Sequence, residues 1–143
     1  MKKAFILLLL LSIQFSLLAQ TDIFGKWKTI DDETGKVKSI VEIYQKDGKA
    51  YGKVVKIFRA AGEEQDPICE VCPGDRKNKK IIGLEIIRGM ELDKADNEWD
   101  DGEILDPQSG KIYDCVIWKE GDKLKVRGYV AFFYRTQTWE KAD

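Results

Sequence analysis

No histidine occurs among the 143 residues, so the commonest general base, the histidine-paired nucleophiles and every imidazole metal site are missing. Chemistry would have to come from cysteines, carboxylates or basic side chains. Cys69-Glu70-Val71-Cys72 has the spacing of a thiol redox pair, but that chemistry needs the first thiol at a helix N-terminus. Pro73-Gly74-Asp75 and the charged run behind it leave no room for such a helix before the strand expected at Ile81. Three cysteines without histidine are also an incomplete zinc set. The simpler expectation is a Cys69–Cys72 disulfide, with Cys115 left as a buried filler on the strand face of Tyr113 and Ile117.

Seven carboxylates lie between Asp93 and Asp106: Asp93, Asp96, Glu98, Asp100, Asp101, Glu103 and Asp106. Aligned on Gly102, the calcium-loop pattern places Trp99 where an oxygen ligand is required, so no metal is expected. A glycosidase acid and base would need one raised carboxyl pKa, and nothing in the spacing supplies it. These residues read as solvated turns. Arg76, Lys77, Lys79 and Lys80 form a basic cluster suited to phosphate groups or, more simply, to a solvated loop.

The remaining signal is aromatic. Tyr44, Tyr51, Tyr113, Trp118, Arg127, Tyr129 and Phe132 lie on or beside expected strands, and are the candidate lining of a small-molecule pocket. The competing expectation is a solid core in which such aromatics simply pack.

These residues must be positioned by strands. Asp32-Glu33-Thr34-Gly35, Asp47-Gly48, Asp106-Pro107-Gln108-Ser109-Gly110 and Glu120-Gly121-Asp122 punctuate β-rich runs. Strands are predicted near 25–30, 37–46, 49–59, 81–92, 98–105, 111–119, 122–133 and 135–141. Eight antiparallel strands joined by short turns predict an all-β up-and-down barrel, with a sandwich as the alternative. The long segment from Ala60 to Lys80 is the first place to look for a lid or contact surface.

Ahead of the strands, Lys2-Lys3 and the apolar run from Ala4 to Leu18 form an export signal, with cleavage expected after Ala19. No cysteine follows to carry a lipid, and the run is too short and interrupted for a spanning helix. The organisation is then a signal peptide over 1–19 and a single barrel domain over 20–143, in the periplasm or secreted. Lys and Arg total 24 against 25 Asp and Glu, which gives no basic excess for nucleic acid.

Phe24-Gly25-Lys26-Trp27, Asp75 to Lys79, Ile104-Leu105-Asp106-Pro107, Gly110 to Tyr113, Val126 to Tyr129 and, most specifically, Arg135-Thr136-Gln137-Thr138-Trp139 together resemble the exported bacterial domain-of-unknown-function family 2147. Tyr134 stands where a glycine is usual in that family, and Lys141 where an arginine is usual. The resemblance implies an envelope location and a lipocalin-like barrel, without an established activity. Gly25-x-Trp27 is also similar to the first-strand motif of the lipocalins, whose tryptophan packs beneath the barrel against an arginine from the last strand. That similarity implies a Trp27–Arg135 closure.

The expected function is therefore binding of a small apolar or amphipathic molecule, with no catalysis and no cofactor. The alternative is an envelope interaction or maintenance module using the Cys69 to Lys80 loop.

Overall fold

Alternating strands need cover for one apolar face and partners for their edges, and a closed ring meets both needs. The computed structural model describes residues 22–143, so the export signal expected over 1–19 lies outside the described residues. Eight strands, β1 (Gly25–Ile30), β2 (Val37–Lys46), β3 (Lys49–Ile57), β4 (Glu85–Asp93), β5 (Glu98–Leu105), β6 (Ile112–Glu120), β7 (Lys123–Val130) and β8 (Phe133–Lys141), form a closed barrel in chain order. Every pairing in it is antiparallel. The Asp47-Gly48 turn shows why the hairpins form. Both residues have positive φ, 52° and 77°, the geometry whose twist matches the flanking strands.

Side-chain alternation then separates inside from outside. Val41 and Ile43 on β2, Cys115 and Ile117 on β6, and Leu124 and Val126 on β7 are buried, while their neighbours in sequence are not. One end of the barrel is plugged. Trp27, Met90, Leu124 and Trp139 are buried there, Trp27 Nε1 donates to the Ile23 carbonyl at 2.8 Å, and Phe24 meets Trp99 edge-on at 5.5 Å.

The expected strand boundaries differ at two places. The strands expected over 122–133 and 135–141 meet earlier, with β7 ending at Val130, the turn at 131–132 and β8 beginning at Phe133. β3 ends at Ile57 and β4 starts only at Glu85, because the chain folds back at Gly83, whose φ is 94°. Gly83 N–H donates to the Val54 carbonyl at 2.7 Å, and Leu84 accepts from Val54 N–H at 2.9 Å. The connection is consequently longer than the expected Ala60 to Lys80 segment. It is also ordered. Cys69 N–H donates to Lys79 at 2.7 Å, Asn78 N–H to Cys69 at 2.7 Å and Ile81 N–H to Pro67 at 2.9 Å. Between these rungs lie the Cys69–Cys72 disulfide and a short 3-10 turn at Gly74–Arg76.

Candidate functional site

The end opposite Trp27 is open and leads into a cavity of about 690 Å³. Its walls are mainly aliphatic, with Ile57, Ile86, Ile104, Val126 and Val130 from four strands, and with Ile68 and Ile81 from the long connection. One side is polar. Thr29 and Ser39 join their hydroxyls at 2.6 Å, and Trp139 Nε1 donates to Gln137 Oε1 at 3.0 Å. Thr29, Ser39 and Gln137 all line the cavity. At the rim stand Lys38, Arg59, Glu63 and Arg135. Arg135 pairs with Asp32 of the β1–β2 turn, and Gln137 reaches the same carboxylate at 3.5 Å. The arrangement joins an apolar volume, one hydrogen-bonding stripe and a charged lip, so the barrel is hollow at this end rather than filled by a solid core.

The long connection is fixed against the outer wall by a charged cluster. Arg76, 4% exposed, donates to the Glu85 carbonyl and to Glu103 Oε1, both at 3.1 Å. Arg88 grips Asp75 through both terminal nitrogens, at 3.0 and 2.8 Å, and Glu85 through Nε at 2.6 Å. Tyr44 completes the cluster by donating to Glu85 Oε2 at 2.6 Å. The Arg88 guanidinium holds the Asp75 carboxyl down at about 2, while desolvation, followed by the Glu85 hydrogen bond, pushes Tyr44 up to about 12. The basic run expected to be a solvated loop is thus divided. Arg76 is an internal clamp and Lys80 pairs with Asp66 at 2.6 Å.

Of the seven residues expected to line a pocket, Tyr113 faces the cavity. The others do not: strand alternation places Tyr44, Tyr51, Trp118, Arg127 and Tyr129 outside, and Phe132 falls in the turn beyond the end of β7. Tyr44 and Tyr51 stack on each other at 6.1 Å on the outer face. Arg127 lies over Trp118 at 4.8 Å and over Tyr134 at 4.3 Å, with Tyr129 5.9 Å from Tyr134. Phe132 is 97% exposed at the β7–β8 turn. The aliphatic lining was missed because isoleucine and valine in a strand look the same whether they fill a core or bound a cavity. The usable signal was the face shared by Val126, Gly128 and Val130, three positions that do line it.

The Trp27–Arg135 closure is also corrected. Six residues of strand at about 3.3 Å each separate Arg135 from Lys141, and it is Lys141 that pairs with Trp27 in the ladder. Lys141 Nζ lies 4.7 Å from the Trp27 ring centroid, while Arg135 is at the mouth. A Cβ on Gly25 would lie 3.1 Å from that same Nζ, at a backbone φ of 121°. The Gly-x-Trp motif therefore includes the space the lysine crosses.

Cys115 is a free, buried cysteine, and burial pushes its thiol up to about 12. Among the described residues Asp93, Asp96 and Glu98 bring their carboxylates within 4.8 Å of one another, on the β4–β5 hairpin near the plugged end. None of the three lines the cavity.

A barrel plugged at one end and open into an internal cavity at the other is a lipocalin-like fold. The chain belongs to the family described as "Uncharacterized protein conserved in bacteria (DUF2147)", which it matches over residues 25–141. Among solved structures it is similar to a protein of Helicobacter pylori, HP1028, described as belonging to the lipocalin family. The TM-score is 0.71 and the identity 16%, over 86% of this chain and 84% of that one. No curated protein sequence matches the chain.

Proposed function

We propose that this protein is exported, loses its leader near Ala19 and binds one small apolar or amphipathic molecule in the barrel without changing it chemically. The observation that carries this reading is the cavity of about 690 Å³ with aliphatic walls, a size within the range of small-molecule pockets. An apolar body placed there leaves water at a gain of about 25 cal/mol per Å² of buried surface. Thr29, Ser39 and Gln137 supply hydrogen bonds along one wall, and a polar end would rest at the rim beside Lys38 and Arg135. The long connection acts in this reading as a wall of the cavity, through Ile68 and Ile81.

The test uses the apolar fluorescent probe N-phenyl-1-naphthylamine and a plugged variant. Gly128 is suited to the plug: a Cβ there meets Tyr113 at an ordinary 3.5 Å, and a longer side chain projects into the cavity. Gly128→Leu should abolish the enhancement of probe fluorescence while the melting temperature is kept. Equal probe binding by both proteins would overturn the reading. Native mass spectrometry of protein taken from its own host should show a co-purifying small molecule, and N-terminal sequencing should start at or near Gln20.

A further inference from the structure

The β7–β8 hairpin differs in charge from the rest of the chain. Acidic residues slightly outnumber basic ones overall, 25 to 24, yet the hairpin over 123–141 contains Lys123, Lys125, Arg127, Arg135 and Lys141 against one carboxylate, Glu140. Lys123 pairs with Glu140 across the hairpin and Arg135 with Asp32 of the β1–β2 turn. Lys125 and Arg127 are instead hydrogen-bonded to the hydroxyls of Thr138 and Thr136.

The hairpin is also banded along its length. Its tip stands at the open mouth and carries Phe132, Phe133 and Val130, respectively 97%, 79% and 54% exposed. Just behind the tip, on the outer wall, Tyr129 and Tyr134 pair across the strands. The Arg127 guanidinium lies between the Tyr134 and Trp118 rings. Apolar rings at the end, amphipathic rings next and a cation beside them is the order of environments met on approaching a bilayer: acyl boundary, headgroup level, phosphate. A contiguous exposed apolar patch of this kind marks an interaction site. A second copy fits it less well, since a two-fold contact would face the same cationic hairpin with itself, and the hairpin's one carboxylate, Glu140, lies at the end away from the tip and is paired with Lys123. The tip is moreover continuous with the cavity, because Val130 and Phe133 belong to both.

We propose that the β7–β8 tip inserts into the interface of a membrane bearing anionic headgroups, so that an apolar ligand passes between bilayer and cavity along Phe133 and Val130 without crossing bulk water. This rests on the binding reading of the cavity. Phe132, which does not line the cavity, is the residue to change.

Purified protein is floated with vesicles of phosphatidylethanolamine and phosphatidylglycerol, or of phosphatidylcholine alone. The wild type should float with the first and much less with the second. Phe132→Ser should weaken that partition roughly tenfold, about 1.4 kcal/mol, while Arg127→Gln should reduce the preference for phosphatidylglycerol. Phe132→Trp should retain binding and add fluorescence that lipids brominated on the acyl chain quench. A wild type that stays off the vesicles, or Phe132→Ser that floats undiminished, would overturn the proposal. So would a concentration-dependent dimer that Phe132→Ser dissolves, which would make the tip a self-association surface. Uptake of N-phenyl-1-naphthylamine without vesicles should be equal in wild type and Phe132→Ser. If uptake is seen while flotation fails, the insertion is refuted and the cavity reading stands. If uptake also fails, the cavity reading is refuted with it.

Discussion

Lys141 is the residue whose role differs most from its appearance in the sequence. It crosses the Trp27 ring through the space that Gly25 leaves open, so glycine, tryptophan and lysine are one device made from the first and last strands. Replacing Lys141 with alanine should lower stability by about 0.5–1 kcal/mol, the range for an exposed cation–π contact. Lys141→Arg should equal or exceed the wild type, because a planar guanidinium stacks on an indole. A double-mutant cycle in thermal melts checks the pairing: Trp27 should couple to Lys141 and show no coupling to Arg135. The motif was legible in the sequence and its partner was not. Residues 135 and 141 have the same parity, so alternation puts both on the inner face, and only the register Trp27↔Lys141 tells one barrel end from the other. The same limit applied to Tyr44, Tyr51, Trp118, Arg127 and Tyr129, aromatic or cationic residues whose face a single residue's type does not reveal. Cys115 was easier, since a lone cysteine on an apolar strand face is buried whichever way the barrel is filled. With its thiol pushed up to about 12, it should resist iodoacetamide at pH 8 in the folded protein and react when denatured, as mass spectrometry would record.

Among the elements, the connection from β3 to β4 shows how a segment without regular strands is held. Its own backbone rungs and the Cys69–Cys72 disulfide shape it, and Asp75 and Arg76 fasten it to β4 and β5 through Arg88, Glu85 and Glu103. Asp75 has its pKa lowered to about 2 from an ordinary 3.8, first through its hydrogen bond with Arg88. A depressed carboxyl pKa contributes stability that is complete above the unfolded value and is lost as pH falls through the folded one. The fastening should therefore loosen between roughly pH 4 and pH 2. Amide exchange in residues 69–80 should rise over that window in the wild type, and should already be high and less pH-dependent in Asp75→Asn. Unchanged exchange in that variant at neutral pH would show that the disulfide and backbone rungs suffice. The sequence showed the segment's place and its disulfide. It showed Arg76 only as one of several neighbouring cations, because Glu85 and Glu103 come from separate strands and enter the contact only once β4 and β5 have paired.

At the scale of the molecule, eight strands in chain order follow from turn residues at regular intervals, and that much could be read directly. Whether the ring is solid or hollow could not, since it depends on which inward positions are small and where the strands shift. Gly102 illustrates this. A Cβ there would lie 2.6 Å from the Arg88 carbonyl and 2.8 Å from the Met90 nitrogen, so the absence of a side chain lets β4 approach β5 beside the point where the register of β5 on β6 shifts, between Trp99 and Gly102. Gly102→Ala should cost about 1–3 kcal/mol in denaturant unfolding by overpacking. The ring is also unequal around its circumference. β7 and β8 share eight register pairs, whereas β1 and β8 share two, Trp27↔Lys141 and Lys28↔Glu140. That narrow seam joins the two chain-distant margins of the sheet, and the Cys69–Cys72 crosslink encloses only its own short turn and does nothing to shorten the search. Hairpins can form early from local contacts, but the seam must wait for the long closure whose entropy is the highest in the fold. Assembly time should accordingly be governed by the meeting of β1 and β8, and unzipping should begin there. A covalent bridge across that seam should accelerate refolding in stopped-flow measurements, while an equal bridge between β7 and β8 should leave the rate nearly unchanged.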